Sequence, residues 1–387
     1  MHLINFDADI FLRDYWQKQP LLIRNPWGAW HNPLEPDELA GLACEDDIES
    51  RLIVQVNDTW TVEHGPIPET RFGSLDGQAW TLLVQAVDHV APDVAALIAP
   101  FRFIPNWRID DVMVSYATDG GGVGPHFDQY DVFLIQGLGQ RRWQVGAHGE
   151  DACTAKTPLR PHDDLRLLAA FEPIAEWLLN PGDILYVPPG VAHNGVAVGD
   201  DCMTYSIGFR APARSELIAH YCDHLLSNLQ DDDRYTDPGL KTQPNPGEVS
   251  AGALAQLQAM ITDKLGDRAA FARWFGEYSS TPKNPEQDFA PDKPMTLKRL
   301  RKAIAVGQGV TRNPASRFVF IRHAPHRLDL FVDGTCYPCA DETAALAEQL
   351  CAQPHVAVPA ELGASEAALA LLIALINEGS LSLGDGG

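Results

Sequence analysis

Apolar and polar residues alternate in short runs along the first half of the chain, as they do in β-strands whose side chains point to opposite faces in turn. Glycines and prolines separate these runs. The pattern predicts a β-rich region over residues 1–213, with helical segments at 80–90 and 93–97. We predict strands at residues 113–116, 131–136, 142–145, 184–187 and 203–209.

The periodicity becomes helical beyond this region. Residues 215–229 and 254–274 repeat apolar positions at helical spacing, and a polar stretch rich in Asp and Pro separates them. They predict a helical middle domain over residues 214–290. The remainder, 291–387, favours a winged-helix-like module, with a basic amphipathic helix at 296–304, strands at 317–322 and 327–332, and helices at 341–353 and 365–378.

Composition places this chain among globular proteins. It has 387 residues, of which 45% are hydrophobic and 21% charged, and its length suggests two or three domains. A net charge of −23 disfavours general nucleic-acid binding and favours a basic partner. The seven scattered cysteines, together with the lack of a signal sequence or an apolar run of membrane-spanning length, indicate a cytosolic protein with reduced thiols and no membrane association.

A candidate metal site follows a glycine-rich turn at residues 120–124. His126 and Asp128 lie two positions apart, so a single strand would present both on one face. His193 follows a strand and a tight Pro-Pro-Gly turn, and a barrel would return it to the same place. Two histidines and a carboxylate in this order predict a facial triad, which holds Fe(II) and leaves positions open for a co-substrate and O2.

Three further residues are candidates for binding a carboxylate co-substrate. Alternation puts Arg141 on the same face as Trp143 and Val145, so its guanidinium is predicted to point inward, where it needs an anion. That anion is either a co-substrate carboxylate or an Asp or Glu of the chain. Ser115 and Ser206 lie on strands that flank the same cavity, and each hydroxyl either binds a carboxylate or satisfies backbone groups.

Two features outside this site have roles that the sequence leaves open. Residues 293–327 contain nine Lys or Arg residues and no Asp or Glu. They could contact RNA or dock against acidic surface, and the acidic composition of the chain favours docking. Cys336 and Cys339 form a C-x-x-C without a second pair for zinc or the βαβ context of a redox motif.

Four motifs together resemble those of the JmjC-type ribosomal oxygenases. They are Gly-Gly-Gly-Val-Gly-Pro-His-Phe-Asp-Gln-Tyr-Asp-Val-Phe at 120–133, Gln-Gly-x-Gly-x-Arg-Arg-Trp at 136–143, and segments 181–190 and 205–212. The resemblance extends over nearly the whole chain. It implies an α+β chain with a double-stranded β-helix catalytic domain of the cupin/JmjC jelly-roll type at 1–213, a helical dimerisation domain at 214–290 that makes a homodimer, and a winged-helix-like domain at 291–387.

The same resemblance implies a chemistry. The iron ligands of the family fall on His126, Asp128 and His193, its 2-oxoglutarate-binding arginine on Arg141, and an assisting serine on Ser115. It implies Fe(II), with 2-oxoglutarate and O2 as co-substrates, and hydroxylation of an arginine on a basic large-subunit ribosomal protein with release of succinate and CO2. Histidine hydroxylation, or a non-catalytic metal-binding module on the ribosome, remains an alternative.

A substrate guanidinium would need an acidic group near the metal. Asp131 is one candidate, because it follows the site motif directly, although an aspartate at such a position also often caps a turn.

Overall fold

The computed structural model describes residues 2–57, 59–230 and 232–384, and the chain divides into two compact units, Met1–Ala211 and Pro212–Gly387. The first unit is built on one antiparallel sheet in the order β1-β8-β6-β9-β5-β4-β2-β3, with β7 paired to β6. Its strands are β1 Leu21–Ile23, β2 Ser50–Val56, β3 Thr59–His64, β4 Ala79–Val84, β5 Ile109–Ala117, β6 Asp131–Val145, β7 Ala175–Leu179, β8 Ile184–Val187 and β9 His193–Phe209.

Strands β6 and β9 are the longest, with 15 and 17 residues, and they pair along most of their length. Register shifts between Gln136 and Gln140 interrupt the ladder, and such irregularities bend strands. Residues from both ends of β6, among them Leu134 and Trp143, accordingly belong to one buried inner cluster with Leu185 and Val187. The bent pair therefore lines a single interior.

The opposite face of the sheet packs against helices in a second, larger core. Phe11, Leu39 and Phe101 from the helical segments are buried there with Phe133 and Ile207 from the strands. The helices are α1 Ala8–Asp14, α2 Pro36–Leu42, α3 Glu69–Phe72 and α4 Pro92–Ala95, with 3-10 turns at Val87–His89, Ala96–Phe101, Asn106–Arg108 and Gly149–Asp151.

The helical segment predicted at residues 80–90 is wrong for its first half. Residues Ala79–Val84 form strand β4, which pairs with β2 and β5, and only the 3-10 turn at Val87–His89 is helical. Both faces of β4 are buried, so its residues from Thr81 onward are almost uniformly apolar. A continuous apolar run of this length does not distinguish a buried strand from a buried helix.

The second unit begins with three helices, α5 Arg214–Asn228, α6 Ala251–Leu265 and α7 Arg268–Ser280. The single helix predicted at 254–274 is in fact two. α6 ends at Leu265 with Gly266 as its C-cap, and Asp267 caps α7 by accepting hydrogen bonds from the backbone N–H groups of Ala269 and Ala270. An N-cap aspartate directly after a glycine is the local signal for this break.

The rest of the second unit packs short strands and helices around Leu300, Phe318, Leu330, Leu350 and Leu372. A turn at Asp333–Gly334 joins two strands, and both residues have positive φ, 49° and 81°, as a type I′ hairpin requires. The elements are α8 Leu297–Ala305, β10 Val310–Arg312, β11 Phe318–Ala324, β12 Arg327–Val332, β13 Thr335–Ala340, α9 Glu342–Ala352, β14 His355–Val356, a 3-10 turn at Ala360–Ala364, α10 Glu366–Asn377 and β15 Leu381–Leu383.

Within the described ranges, no helix has both the length and the apolar character that a bilayer-spanning segment needs.

A buried polar network fixes strand β6 to its surroundings. The carboxylate of Asp131, which is 0% exposed, accepts hydrogen bonds from the Tyr186 hydroxyl at 2.6 Å, the Gln17 amide at 2.9 Å and the Arg108 guanidinium at 2.9 Å. Arg108 also lies over the Trp16 ring. The charged pair is therefore enclosed and fully hydrogen-bonded, which is the condition under which a buried ion pair is tolerated.

We expect Asp131→Ala to lower the free energy of unfolding of this unit by about 3–5 kcal/mol, because Arg108 would stay buried without its counter-charge. Urea denaturation followed by tryptophan fluorescence measures the change. The matched control is Glu176→Ala, because Glu176 pairs with Arg142 where both side chains are 50% exposed; its loss should stay below about 1 kcal/mol. Similar losses in the two variants would contradict the assignment.

Candidate metal and co-substrate site

A short backbone bridge joins His126 to His193, the first residue of β9. The His126 N–H donates to the His193 carbonyl at 3.1 Å, and the His193 N–H donates to the His126 carbonyl at 2.8 Å. Two antiparallel residues that exchange both hydrogen bonds sit directly opposite each other. Residues that are 67 positions apart in sequence thus hold their side chains together, with ring centroids 4.3 Å apart.

Asp128 completes a three-residue cluster. Its Oδ2 atom lies 3.8 Å from Nε2 of His126 and 3.7 Å from Nε2 of His193. One ligand atom from each of the three residues lies within 4.8 Å of the others. Two imidazole nitrogens and one carboxylate oxygen at these separations can bind one ion, and this donor set suits Fe(II).

The rear nitrogens of both imidazoles are held by main-chain carbonyls. Nδ1 of His126 lies 2.9 Å from the Gly124 oxygen, and Nδ1 of His193 lies 3.0 Å from the Val191 oxygen. A carbonyl can only accept, so each Nδ1 carries the proton and each Nε2 keeps its lone pair. Such outer contacts fix the tautomer and the ring orientation of metal-binding histidines.

His193 is also kept uncharged. Burial first, and then the neighbouring His126, lower the pKa of His193 to about 4. Its imidazole is therefore neutral at physiological pH, as a metal ligand must be. His126 and Asp128 are more open, with side chains about a quarter exposed (24% and 25%), so the cluster has one buried wall and one accessible side.

The position of Gly124, just before His126 and Asp128, accommodates only glycine. Its φ is 87°, and a Cβ there would come within 2.9 Å of Leu167 and 3.1 Å of the Trp60 ring. Any side chain would be strained in this conformation and would push the ligand segment away from the inner wall.

Arg141 lies in the interior beside the cluster and is 3% exposed. Its Nε donates to the Cys202 thiol at 3.3 Å, and its guanidinium lies over the Trp143 ring at 5.8 Å. Its Nη2 is buried and, within the described residues, lacks a hydrogen-bond partner. Burying a guanidinium nitrogen without a hydrogen-bond partner costs free energy, and a bound anion would remove that cost. The surroundings of Arg141 therefore fit a ligand that carries a carboxylate.

A line of polar contacts leads to Arg141 across the sheet. The Thr204 hydroxyl donates to the Gln136 amide oxygen at 3.2 Å, and the Gln136 amide N–H donates to the Cys202 sulfur at 3.5 Å. The Cys202 sulfur in turn accepts the hydrogen bond from Nε of Arg141. Cross-strand contacts of this kind do not appear in local sequence patterns, and Gln136, Cys202 and Thr204 were not predicted as site residues.

Both predicted serines face the same interior. Ser115 is opposite Leu83 and Ser206 is opposite Met113, and these apolar partners belong to the inner wall. The Ser115 hydroxyl makes a long contact, 3.5 Å, to the Thr204 carbonyl. Weak engagement with the backbone leaves this hydroxyl able to serve a ligand.

Asp131 does not face the metal cluster, because its carboxylate is enclosed by Arg108, Tyr186 and Gln17 on the other side of β6. It is therefore unavailable to a substrate guanidinium. Tyr130 lies closer to the site, because partial desolvation of its hydroxyl and then the Asp128 charge raise the pKa of Tyr130, although its side chain stays partly exposed. Alternation along Asp131, Phe133 and Ile135 is the signal that could have identified Asp131 as outward-facing.

The segment between β6 and β7 runs along the rim of the site and is tied to both ligand segments. The Leu168 N–H donates to the Pro125 carbonyl at 2.9 Å, and the Cys153 N–H donates to the Gly190 carbonyl at 2.7 Å. The Gly190 N–H in turn donates to the Asp128 carbonyl at 2.7 Å. These bonds connect the rim segment to the main chain next to His126 and before His193.

Comparison with known proteins identifies the family. Residues 96–217 match the JmjC domain and residues 259–382 match the ROXA-like winged helix. The chain is 42% identical over 286 residues to the ribosomal protein uL16 3-hydroxylase of Escherichia coli K12, an alignment that covers 73% of this chain and 74% of the relative. The chain belongs to the bacterial JmjC-type ribosomal oxygenases.

One further relative and a solved structure are also similar to the chain. A probable ribosomal oxygenase of Haemophilus influenzae is 41% identical over 69% of this chain and 66% of its own length. The crystal structure of the Escherichia coli ribosomal oxygenase YcfD matches with a TM-score of 0.86 at 35% identity, covering 99% of this chain and 100% of that one. The predicted fold class, a JmjC-type double-stranded β-helix with a winged helix, is confirmed.

We expect Asp128→Ala and His193→Ala each to weaken Co(II) binding by more than about 100-fold, since losing even an outer partner of a ligand costs about 10–100-fold. Isothermal titration calorimetry on the purified chain measures the affinity. His220→Ala is the control, because His220 lies on α5 in the second unit and packs against the Tyr278 ring of α7. Unchanged binding in the Asp128 variant would exclude this cluster as the metal site.

Proposed function

We propose that this protein is an Fe(II)- and 2-oxoglutarate-dependent hydroxylase that acts on an arginine side chain of a large-subunit ribosomal protein. One observation supports the chemistry above all others. The guanidinium of Arg141 is buried, and its Nη2 lacks a hydrogen-bond partner among the described residues. It lies over the Trp143 ring, whose centroid is 5.8 Å from that of His193 in the metal cluster. A metal site that only stabilised the fold would need no unpaired inward cation.

Each residue has a proposed role. His126, Asp128 and His193 would hold ferrous iron, and Arg141, assisted by Ser115 and Ser206, would bind the distal carboxylate of 2-oxoglutarate. Bound iron and 2-oxoglutarate supply the oxidising chemistry, in which O2 gives one oxygen atom to the substrate C–H bond and one to succinate, with release of CO2. The inner wall around Trp143 excludes water, and the carbonyl contacts of the two histidines keep the ligand geometry fixed.

The choice of substrate rests on charge and on kinship. A chain with net charge −23 attracts a basic ribosomal protein and steers it towards the enzyme. The Escherichia coli relative, by its name, is the uL16 3-hydroxylase. We favour arginine over histidine because a permanently charged guanidinium gains more from this acidic surface than a neutral imidazole does.

We expect the homologous uL16 protein, incubated with this enzyme, Fe(II), 2-oxoglutarate and O2, to gain one oxygen atom on an arginine. Tandem mass spectrometry locates the modified residue. Asp128→Ala should abolish the product, and Arg141→Ala should strongly reduce it because 2-oxoglutarate would lose its buried anchor. His220→Ala, far from the triad in sequence and on the second unit, is the matched control and should keep full activity.

An oxygen atom found on a histidine would replace the arginine assignment while keeping the reaction class. If no product forms although metal and 2-oxoglutarate bind, the proposed substrate is wrong, and the binding-module alternative gains support.

We further propose that the chain has three domains, 1–213, 214–290 and 291–387, and that the helical middle makes a homodimer. Helix α6 has no buried residue, and it exposes Leu254, Leu257, Ile261 and Leu265 at 42–63%. Helix α5 likewise exposes Ile218 and Leu226. A row of exposed apolar side chains along a helix, as on α6, is typical of an interface between protomers.

We expect the double variant Leu257→Asp/Ile261→Asp to be monomeric where the wild-type protein is a dimer, because two carboxylates would be buried unpaired at the interface. Light scattering coupled to gel filtration gives the mass. Ile174→Asp, at an equally exposed position outside these helices, serves as control and should remain dimeric. A wild-type monomer would end the dimer proposal.

A cytoplasmic location completes the proposal. All seven cysteines are free thiols in the structure, which is the state expected in a reducing compartment.

A further inference from the structure

Helix α8 presents a row of cations to solvent. Lys298, Arg299, Arg301 and Lys302 are all exposed, whereas Leu300 and Ile304 on the opposite side are buried in the core of the second unit. The helix is therefore anchored by its apolar side, and its outward side carries four positive charges within two turns.

Some cations of the basic segment 293–327 form hydrogen bonds or ion pairs within the chain, and others do not. Arg312 donates to the carbonyls of Leu350 and Cys351, and Arg322 pairs with Glu348 at 2.9 Å. By contrast, across residues 2–57, 59–230 and 232–384, no ion pair or side-chain hydrogen bond involves the four cations of α8. Docking of this helix against the chain's own carboxylates, which the composition favoured, is thus not seen in the described structure.

This arrangement is unfavourable for the helix alone. Lys298 and Lys302 are four residues apart, and Arg299 and Lys302 three apart, so like charges face each other on the surface. Lys298 and Arg299 also lie in the first turn, where positive charge opposes the helix dipole, and that turn holds no acidic residue. Thr296 caps the helix but cannot offset charge. Unfavourable charge placement that the rest of the protein does not offset often marks a binding site.

We propose that these four residues bind the phosphate backbone of RNA, and so help to dock the enzyme on RNA next to its substrate. The remainder of the chain is acidic and repels a polyanion. The four cations of α8 would offset this repulsion locally and allow RNA to bind there. The choice of RNA over another acidic partner rests on the proposed function, because a ribosomal protein is encountered beside RNA. The contact is electrostatic and carries no sequence specificity.

The test compares two variants of the full-length chain that each lose four positive charges. The first is Lys298→Gln/Arg299→Gln/Arg301→Gln/Lys302→Gln. The second is the control Lys156→Gln/Arg234→Gln/Lys241→Gln/Arg268→Gln, in which the same numbers of exposed Lys and Arg are removed elsewhere. Fluorescence polarisation with a short labelled single-stranded RNA, read at increasing salt, gives the affinity and its salt dependence.

We expect wild-type and control proteins to bind this RNA at low salt, and the α8 variant to bind at least about tenfold more weakly. Four lost phosphate contacts should also make the slope of log affinity against log salt shallower by up to about 3. Circular dichroism and Co(II) binding should be unchanged in the α8 variant, which separates lost contacts from misfolding.

Equal RNA binding by the two variants, or no RNA binding by the wild type, would overturn the proposal. If the α8 variant instead loses self-association without any effect on RNA, the cations bind carboxylates of a second copy and the RNA assignment is wrong. Because RNA binding is measured without iron, 2-oxoglutarate or uL16, this experiment tests the RNA proposal independently of hydroxylation. Failure of hydroxylation with intact RNA binding would count against the enzyme assignment alone.

Discussion

The pair of main-chain hydrogen bonds between His126 and His193 is the constraint on which the site depends. It brings a loop after a glycine turn against the first residue of the longest strand, and the two imidazoles follow from that backbone geometry. The carbonyls that orient both rings belong to the same two segments. Ligand position, tautomer and ring orientation therefore all derive from main-chain pairing, which many side-chain substitutions leave intact.

Two arginines at strand β6 show how one strand serves stability on one face and the candidate site on the other. Arg108 meets the Asp131 carboxylate and is fully engaged on the outer side of the sheet. Arg141 on the inner side contacts a thiol and an aromatic ring, and its Nη2 has no hydrogen-bond partner among the residues that the structure describes. One cation is satisfied by the protein and stabilises it, while the other is suited to binding an anion, as we propose.

The sequence predicts parts of β6 and β9 from short apolar runs rich in β-branched and aromatic residues, although both faces of these parts are buried. It identifies the metal candidates through the two-residue spacing of His126 and Asp128. Its prediction that one strand carries both is wrong, because they lie in a loop before β6 that is bridged to His193. It fails at β4, whose residues are buried on both faces and so lose the alternating signal. It also misses Cys202, because its contact with Arg141 crosses between strands 61 residues apart. Periodicity reports which face a residue takes, but it does not report which residue lies across from it.

The rim segment between β6 and β7 bonds through its backbone to Pro125 and Gly190, and it also buries Leu165 and Leu167 against the inner wall. Its exposed side chains, such as Glu150, Asp151 and Lys156, take no part in these main-chain bonds and can vary without disturbing them. In related proteins, substitutions in this segment can therefore alter substrate recognition while the candidate metal site is retained. A single catalytic core can in this way serve many different protein targets.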